Sequence, residues 1–147
     1  MSEPLPFPGC DLREHPPRGP SERLGGLVFL PRTIDKMRAK IQGTLGAYKI
    51  APGMSGYLLE WLGITEEAFE AAVRGAATDD EIAHWVRAHS DPAAYEGINE
   101  RLSTRAIRDA AHLAEVVPRY PLLEDHPHLR NWFEILEQDD AASFRSA

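Results

Sequence analysis

The densest group of positively charged side chains in this sequence lies within residues 30–50, LPRTIDKMRAKIQGTLGAYKI. The segment holds all three lysines of the chain, two arginines and one carboxylate. Arg32 and Lys36 are four residues apart and would share one face of a helix, whose start exposes backbone N–H groups that favour anions. Together with Arg13 and Arg18 from the preceding segment, these cations predict a site for a phosphate or a carboxylate.

The same residues are open to other interpretations. The full set predicted to bind a ligand is Arg13, Arg18, Arg32, Asp35 and Lys36. In a small enzyme, the arginines would hold an anionic metabolite while Asp35 or Lys36 transfers a proton. In a structural motif, charged hydrogen bonds would tie the preceding segment to the helix. A solvated helix face, with long side chains covering apolar neighbours, is the remaining alternative.

Other residue types with chemical potential are less informative. His126 and His128 flank Pro127, but a metal site needs three or four convergent ligands, so we predict no metal site. Cys10 is the single cysteine and lacks an identifiable activating base. The glycine pairs match neither a P-loop nor a dinucleotide-binding fingerprint, and no cofactor is predicted. Catalytic residues are therefore left unassigned, and whether the protein is an enzyme stays open.

The elements that would position these residues are mostly helical. Half of the twelve prolines lie in residues 1–26, which predicts a proline-rich arm because proline is excluded from helix interiors. Pro31 suits the first turn of a helix, and apolar residues recur at helical spacing through the rest of the chain. The fold class is all-α, a compact bundle of about five or six helices of unequal length over residues 27–138, followed by a polar tail at residues 139–147.

Individual helix boundaries follow from capping residues and prolines. Thr65 and Thr78 are expected to begin two short helices, the second with a capping box completed by Glu81. Apolar residues in steps of three or four then predict one helix of about 25 residues, from Pro92 towards Pro118. A last helix is expected to start near residues 125–127, and Leu27–Leu30 could form a short extended piece.

Composition limits the function classes. The chain has a net charge of -7, and nonspecific nucleic-acid binding depends on an extended basic surface, so nucleic acid is not an expected partner. Residues 1–50 carry eight basic and five acidic side chains, which leaves room for a local anion site. The sequence contains no run of about 18 apolar residues, so no membrane-spanning helix is expected. With one cysteine and no export signal at residues 1–10, a cytoplasmic location is expected.

The segment DLREHPPRGPSERLGGLVFLPRTIDKMRAKIQGTLGAY resembles a bacterial family known as domain of unknown function 5069. The resemblance rests on Asp11-Leu12, Pro16-Pro17-Arg18, Leu24-Gly25-Gly26, the run Leu30 to Asp35 with Lys36, Arg38 and Ala39, and Gly43-Thr44-Leu45-Gly46. It continues more loosely through YLLEWLGI and TDDEIAHWV. Where family members often have a Leu-Asp pair, this chain has Met54-Ser55. The resemblance implies no activity, but it joins the arm and the basic helix in one motif.

Our leading hypothesis is a small helical protein without catalytic activity. It would bind a protein partner or a small anionic ligand where the arm meets the basic helix. The two rivals are a small enzyme acting on an anionic metabolite, and a structural motif in a protein whose function is self-association, for example as a homodimer.

Overall fold

A single helix, α1 (Leu30–Gln42), forms the centre of the molecule. The structure is a computed structural model and describes residues 5–144. Every residue of α1 from Leu30 to Met37 is buried. The helix begins with Pro31 in its first turn, as predicted, and ends at Gly43, whose φ of 75° lies in the left-handed region that favours glycine. A helix buried on so many sides must bury its charged residues too.

Six further α-helices and one short hairpin complete the fold in the described residues. They are β1 (Arg23–Leu24), β2 (Leu27–Val28), α2 (Met54–Leu62), α3 (Glu66–Gly75), α4 (Asp79–Ala88), α5 (Tyr95–Ser103), α6 (Ala110–Val116) and α7 (Trp132–Ser143). Three short 3-10 helices lie at Pro8–Cys10, Pro92–Ala94 and Pro121–Glu124. The predicted helical class is confirmed, while seven α-helices exceed the five or six expected. No helix within residues 5–144 has the length and apolar character needed to cross a membrane.

Two predicted helix starts are present. The Thr65 side chain accepts a hydrogen bond from the Ala68 N–H at the start of α3, and Thr78 accepts from the Glu81 N–H at the start of α4. The Glu81 carboxylate reaches back to the Ala77 N–H at 3.3 Å. These caps satisfy N–H groups that have no partner within the helix.

The predicted helix of about 25 residues is wrong. The chain leaves the helical path after Ser103, and the Asp109 side chain caps a separate helix, α6, by accepting from the His112 N–H. Between the two helices, the Ile107 N–H donates to Arg130 O, and the Trp132 N–H donates to Arg105 O, each at 2.9 Å. Backbone pairing with a distant segment therefore replaces the helical hydrogen bonds that the apolar spacing favoured.

The C-terminal segment also differs from the prediction. Helix α7 begins at Trp132, capped by Asn131, rather than near residues 125–127. It continues to Ser143, so residues 139–143 are helical and not a polar tail, and Asp140 is buried. Residues 145–147 of the predicted tail lie outside the described residues. The reason for the continuation is tertiary, since Asp140 forms an ion pair with the interior of the protein.

The N-terminal arm packs against α1. Cys10 and Leu12 form a small apolar cluster with Ala39 of α1. The Leu12 N–H donates to Thr44 O at 3.0 Å, and the backbone of Phe7 exchanges two hydrogen bonds with the Gln42 side chain. The predicted extended piece is present as β2, which pairs antiparallel with β1. Residues 1–4 of the predicted arm lie outside the described part of the chain.

Candidate functional site

One group of charged residues joins the arm to α1 and α4, and we call it the arm cluster: Arg18, Asp35, Arg38 and Asp79. The Arg18 guanidinium donates to Asp35 Oδ1 at 3.0 Å and to Asp79 Oδ2 at 2.7 Å. The Arg18 backbone N–H donates to Asp35 Oδ2 at 2.8 Å. Arg38 Nη1 donates to the other oxygen of Asp79 at 2.9 Å. Two arginines thus face two carboxylates, and the charges of this cluster balance.

The ion pairs of the arm cluster stabilise its charged forms. Burial works against the charge of Arg18, but hydrogen bonds to Asp35 and Asp79 raise the pKa of its guanidinium. Burial likewise opposes ionisation of Asp79, but the hydrogen bonds and positive charges of Arg18 and Arg38 together outweigh it, so the pKa of Asp79 is lowered. Arg18 and Asp79 are therefore charged and paired at neutral pH.

Cys10 lies beside the arm cluster but is not activated by it. Its Sγ is 3.7 Å from Asp35 Oδ1. Burial, with a further contribution from the Asp35 carboxylate, raises the pKa of the Cys10 thiol to about 11. A thiol in that state is a weak nucleophile at neutral pH.

An open pocket of about 460 Å³ adjoins the arm cluster. It is lined by residues 6–10 of the arm, by Arg38 and by Ala76 and Ala77. The Arg38 guanidinium lies 5.4 Å from the centre of the Phe7 ring, and its Nε is buried without a hydrogen-bond acceptor among the described residues. Its charge, however, is already compensated by the ion pair with Asp79. The pocket therefore presents no uncompensated cation.

A second group, the inner cluster, lies where α1, α7 and the loop after α1 meet: Arg32, Lys36, Tyr48 and Asp140. Arg32 is 1% exposed. Its Nη1 and Nη2 donate to the two oxygens of Asp140 at 2.7 and 3.2 Å, and the Tyr48 hydroxyl donates to Asp140 Oδ1 at 2.6 Å. Arg32 Nε is buried and has no acceptor within residues 5–144. One donor of this buried guanidinium is therefore left without a partner in the described part of the chain.

Lys36 is the second cation of the inner cluster. It is 7% exposed, and it forms no hydrogen bond or ion pair within residues 5–144. Its Nζ lies 5.6 Å from the centre of the Phe29 ring and 6.0 Å from that of Tyr48. Burial, and then repulsion from Arg32, lowers the pKa of Lys36 from 10.5 to about 7, against the attraction of Asp140. Lys36 is thus partly neutral at physiological pH.

Aromatic rings define the walls of the inner cluster. Phe29 precedes α1 with a φ of 70°, an uncommon conformation for a residue other than glycine, and its ring stacks on Phe133 of α7 at 5.7 Å. Tyr48 stacks on Phe144 at 6.4 Å, and both are only half-buried. Arg32 and Lys36 therefore lie beside the rings of Phe29 and Tyr48, with the Tyr48 side nearer to solvent.

Two groups near Asp140 have shifted acidities. Burial and the hydrogen bond with Asp140 raise the pKa of Tyr48, so its phenol remains a proton donor. Burial and the neighbouring Asp140 charge raise the pKa of Asp139. Asp140 is the single carboxylate that forms an ion pair with this cluster in the described chain, against two cations.

The five residues predicted for the site are divided by the fold. Arg18 and Asp35 belong to the arm cluster, whereas Arg32 and Lys36 belong to the inner cluster. The two clusters are linked by Arg32 Nη1, which donates to Arg18 O at 3.2 Å. Arg13 is exposed and pairs with its neighbour Asp11 at 2.9 Å, so it joins neither cluster.

The solvated-face interpretation of the basic residues is wrong for Arg32 and Lys36, which are buried. It describes Lys40, which is exposed and pairs with Glu66 and Glu70 of α3 at 2.7 and 3.2 Å. Lys36 and Lys40 are therefore one turn apart on α1 but differ in environment. Lys36 is buried and has no partner in the described residues, whereas Lys40 is exposed and forms ion pairs.

Sequence reasoning missed the residues that complete each cluster. Asp79 lies in the first turn of α4, where an acidic residue is common, and Asp140 falls in the predicted polar tail. One signal was available: Asp140 follows Phe133 and Leu136 at spacings typical of the apolar face of a helix. No pattern pointed to Tyr48. The described residues contain no group of three or more potential metal ligands from His, Cys, Asp and Glu.

Comparison of the sequence with protein-family models identifies the family of the chain. The model described as domain of unknown function (DUF5069) matches residues 14–142. The chain belongs to this family. The matched segment of the DUF5069 protein includes every member of the arm cluster and of the inner cluster, but neither Cys10 nor Arg13. No curated protein is significantly similar to the chain.

Proposed function

We propose that this DUF5069 protein binds a small anionic ligand at the inner cluster. The observation that carries the proposal is two side-chain nitrogens without an acceptor in the described protein: Arg32 Nε, which is buried, and Lys36 Nζ, whose residue is 7% exposed. Both belong to cations one helical turn apart on α1. A carboxylate or phosphate oxygen would accept from both.

Unsatisfied donors and surplus positive charge both destabilise the inner cluster unless an anion binds there. A buried donor without an acceptor costs about 1–3 kcal/mol, and more when it is charged. The inner cluster holds two cations and one ion-paired carboxylate, so an added anion would compensate the second cation. Hydrogen bonds between guanidinium or ammonium groups and an oxyanion are about twice as strong as neutral ones.

Accessibility limits the size of the ligand. Arg32 is 1% and Lys36 7% exposed, so a ligand would approach from the Lys36 side. Tyr48 and Phe144 are the half-buried groups that would have to shift. A group the size of a carboxylate fits this description, whereas an extended polyanion does not. The net charge of -7 also opposes nucleic acid.

The proposal is tested by thermal denaturation of the protein with acetate, lactate, sulfate and phosphate. A ligand at 100 times its dissociation constant adds about 2.7 kcal/mol to the free energy of unfolding. We expect at least one anion to stabilise the protein, Lys36→Met to abolish the effect, and Lys40→Met to preserve it. Failure of all four anions, or equal stabilisation of Lys36→Met, would contradict the proposal.

The pH dependence supplies a second readout. Lys36 attracts an anion only when protonated, and its pKa is about 7. Anion affinity should therefore fall as the pH rises from 6 to 8, while the permanent charge of Arg32 retains part of it. Affinity that is flat across this range in the parent protein would argue against a role for Lys36.

The small-enzyme alternative is favoured by one observation, the lowered pKa of a buried lysine beside an arginine. Such lysines act as bases or nucleophiles near neutral pH. The self-association alternative, a protein partner and a cytoplasmic location stay predictions, and sedimentation at several concentrations would test for a homodimer.

A further inference from the structure

Among the three lysines of the chain, Lys36 stands apart. Lys40 is exposed and paired with two glutamates, and Lys49 is exposed. Lys36 is buried, has no partner in the described residues and lies beside the rings of Phe29 and Tyr48. We propose that the Lys36 amine forms an imine with a small α-keto acid whose carboxylate accepts a hydrogen bond from Arg32 Nε. The inference rests on the proposed anion site and names the chemical class of its ligand.

Geometry favours a ligand with adjacent carboxylate and carbonyl groups. Arg32 and Lys36 are separated by one helical turn, so their Cβ atoms lie about 5–6 Å apart. Arg32 has one orphaned donor, Nε, because its other nitrogens already bind Asp140 and Arg18 O. A carboxylate at Nε would place an adjoining carbonyl carbon near Lys36 Nζ. A simple aldehyde would lack the group that Arg32 recognises.

The surroundings of Lys36 also favour the neutral amine that the reaction needs. Every charged group near it is accounted for: Arg32 on α1 repels its proton, and Asp140 on α7, which already binds Arg32 and the Tyr48 hydroxyl, attracts it. Burial and Arg32 prevail, and they lower the pKa of Lys36 to about 7. A desolvated lysine next to a second cation is the usual way of activating an amine for attack on a carbonyl.

The chemical step balances without an oxidant or reductant. The Nζ lone pair attacks the carbonyl carbon, and proton transfer from nitrogen to oxygen gives a carbinolamine. Its hydroxyl group then takes up a proton and leaves as water while the nitrogen gives up its remaining proton, so that a neutral C=N bond replaces the C=O bond with no net change in protons. Exclusion of bulk water by the aromatic rings would favour this dehydration.

Reductive trapping tests the inference. The parent protein is incubated with pyruvate and cyanoborohydride at pH 7.5, digested, and the adduct mapped by mass spectrometry on Lys36, Lys40 and Lys49. We expect more than tenfold faster modification at Lys36 than at the other two lysines. Lys36→Arg should lose the adduct and Lys40→Arg should keep it. Because mapping compares three lysines within one protein, the test stands even where a variant fails to fold.

Two matched small molecules test the role of the carboxylate. Methyl pyruvate has the more reactive carbonyl but no negative charge, so faster trapping of pyruvate at Lys36 would show recognition of the carboxylate. Lactate has the charge but no carbonyl, so it should stabilise the protein and form no adduct. Trapping should increase from pH 6 to pH 8 as the amine loses its proton, opposite to the trend for lactate affinity.

The outcomes separate the two proposals. Stabilisation by lactate or another anion without a pyruvate adduct at Lys36 would overturn the imine and leave the anion site standing. Equal modification of Lys36, Lys40 and Lys49 would overturn the imine as well. Trapping at Lys36 that is no faster with pyruvate than with its ester, without stabilisation by any anion, would overturn both.

Discussion

The arm cluster and the inner cluster contain similar residues but differ in burial and in charge balance. In the arm cluster, two arginines and two aspartates pair at the edge of the protein, where Arg18 and Asp79 are each about one-third exposed. In the inner cluster, two cations are almost fully buried, and one ion-paired carboxylate lies between α1 and α7. Every charge of the first cluster has a partner, whereas Lys36 of the second has none in the described chain.

This difference bears on the two interpretations of the basic helix, the structural one and the ligand-binding one. The ion pairs of the arm cluster balance in charge and connect the arm, α1 and α4. Holding these three elements together is a sufficient explanation for them. A surplus buried cation lowers stability unless something compensates it. The structural interpretation of the basic motif therefore fits the arm cluster, and the ligand-binding interpretation fits the inner cluster.

The largest effect is expected from Asp140→Asn, which breaks the inner cluster by removing its ion-paired carboxylate. Arg32 would then be buried beside Lys36 without a counter-charge, and breaking a buried pair costs about 3–5 kcal/mol. Urea denaturation at pH 7 measures the loss. Asp139→Asn on the same helix is the control and should cost much less. A loss for Asp140→Asn no larger than that of the control would contradict our account of the inner cluster.

Replacing Lys36 by Met should stabilise the protein at pH 6, because it removes the cost of burying an ammonium group. The folded pKa of about 7 lies below the ordinary value of 10.5, so between them the unfolded chain binds more protons and the stability of the parent rises with pH. The advantage of Lys36→Met should thus shrink by about 2–3 kcal/mol from pH 6 to pH 9.

Denaturation of both proteins across this pH range provides the measurement. Lys40→Met is the matched control, since its exposed ion pairs contribute about 0–1 kcal/mol and it should show no such trend. If the stability difference between Lys36→Met and the parent does not change with pH, the pKa of Lys36 is not lowered in the folded protein. That result would contradict the description of Lys36 as a buried amine without a counter-charge.

The smallest of these effects should come from the arm cluster. Arg18→Ala removes hydrogen bonds to Asp35 and Asp79, but the site is partly exposed, so we expect a loss of about 1–2 kcal/mol and a melting temperature lower by a few degrees. Calorimetry measures this, and anion affinity at the inner cluster should stay within about threefold of the parent. Loss of anion binding with an unchanged melting temperature would reverse the roles assigned to the two clusters.

The local parts of this structure could be predicted from sequence because their causes are local. Pro31 at the start of α1, the Thr65 and Thr78 caps, the helical class and the concentration of charge on α1 all depend on residues within a turn or two of one another. The resemblance to the DUF5069 family is also visible in the segment that contains α1, and the family model matches residues 14–142. For this reason the sequence placed Arg32 and Lys36 correctly on one helix, one turn apart.

Tertiary structure decided the burial, the charge state and the hydrogen-bond partners of those residues. Whether Lys36 is a solvated amine or a buried one depends on packing by Phe29 and Tyr48, and the partner of Arg32 is 108 residues away in the chain. The break between α5 and α6 has the same origin, since residues 105–107 pair with residues 130–132. Burial and long-range pairing set charge and hydrogen bonding at each site, and neither is encoded in the spacing of nearby residues.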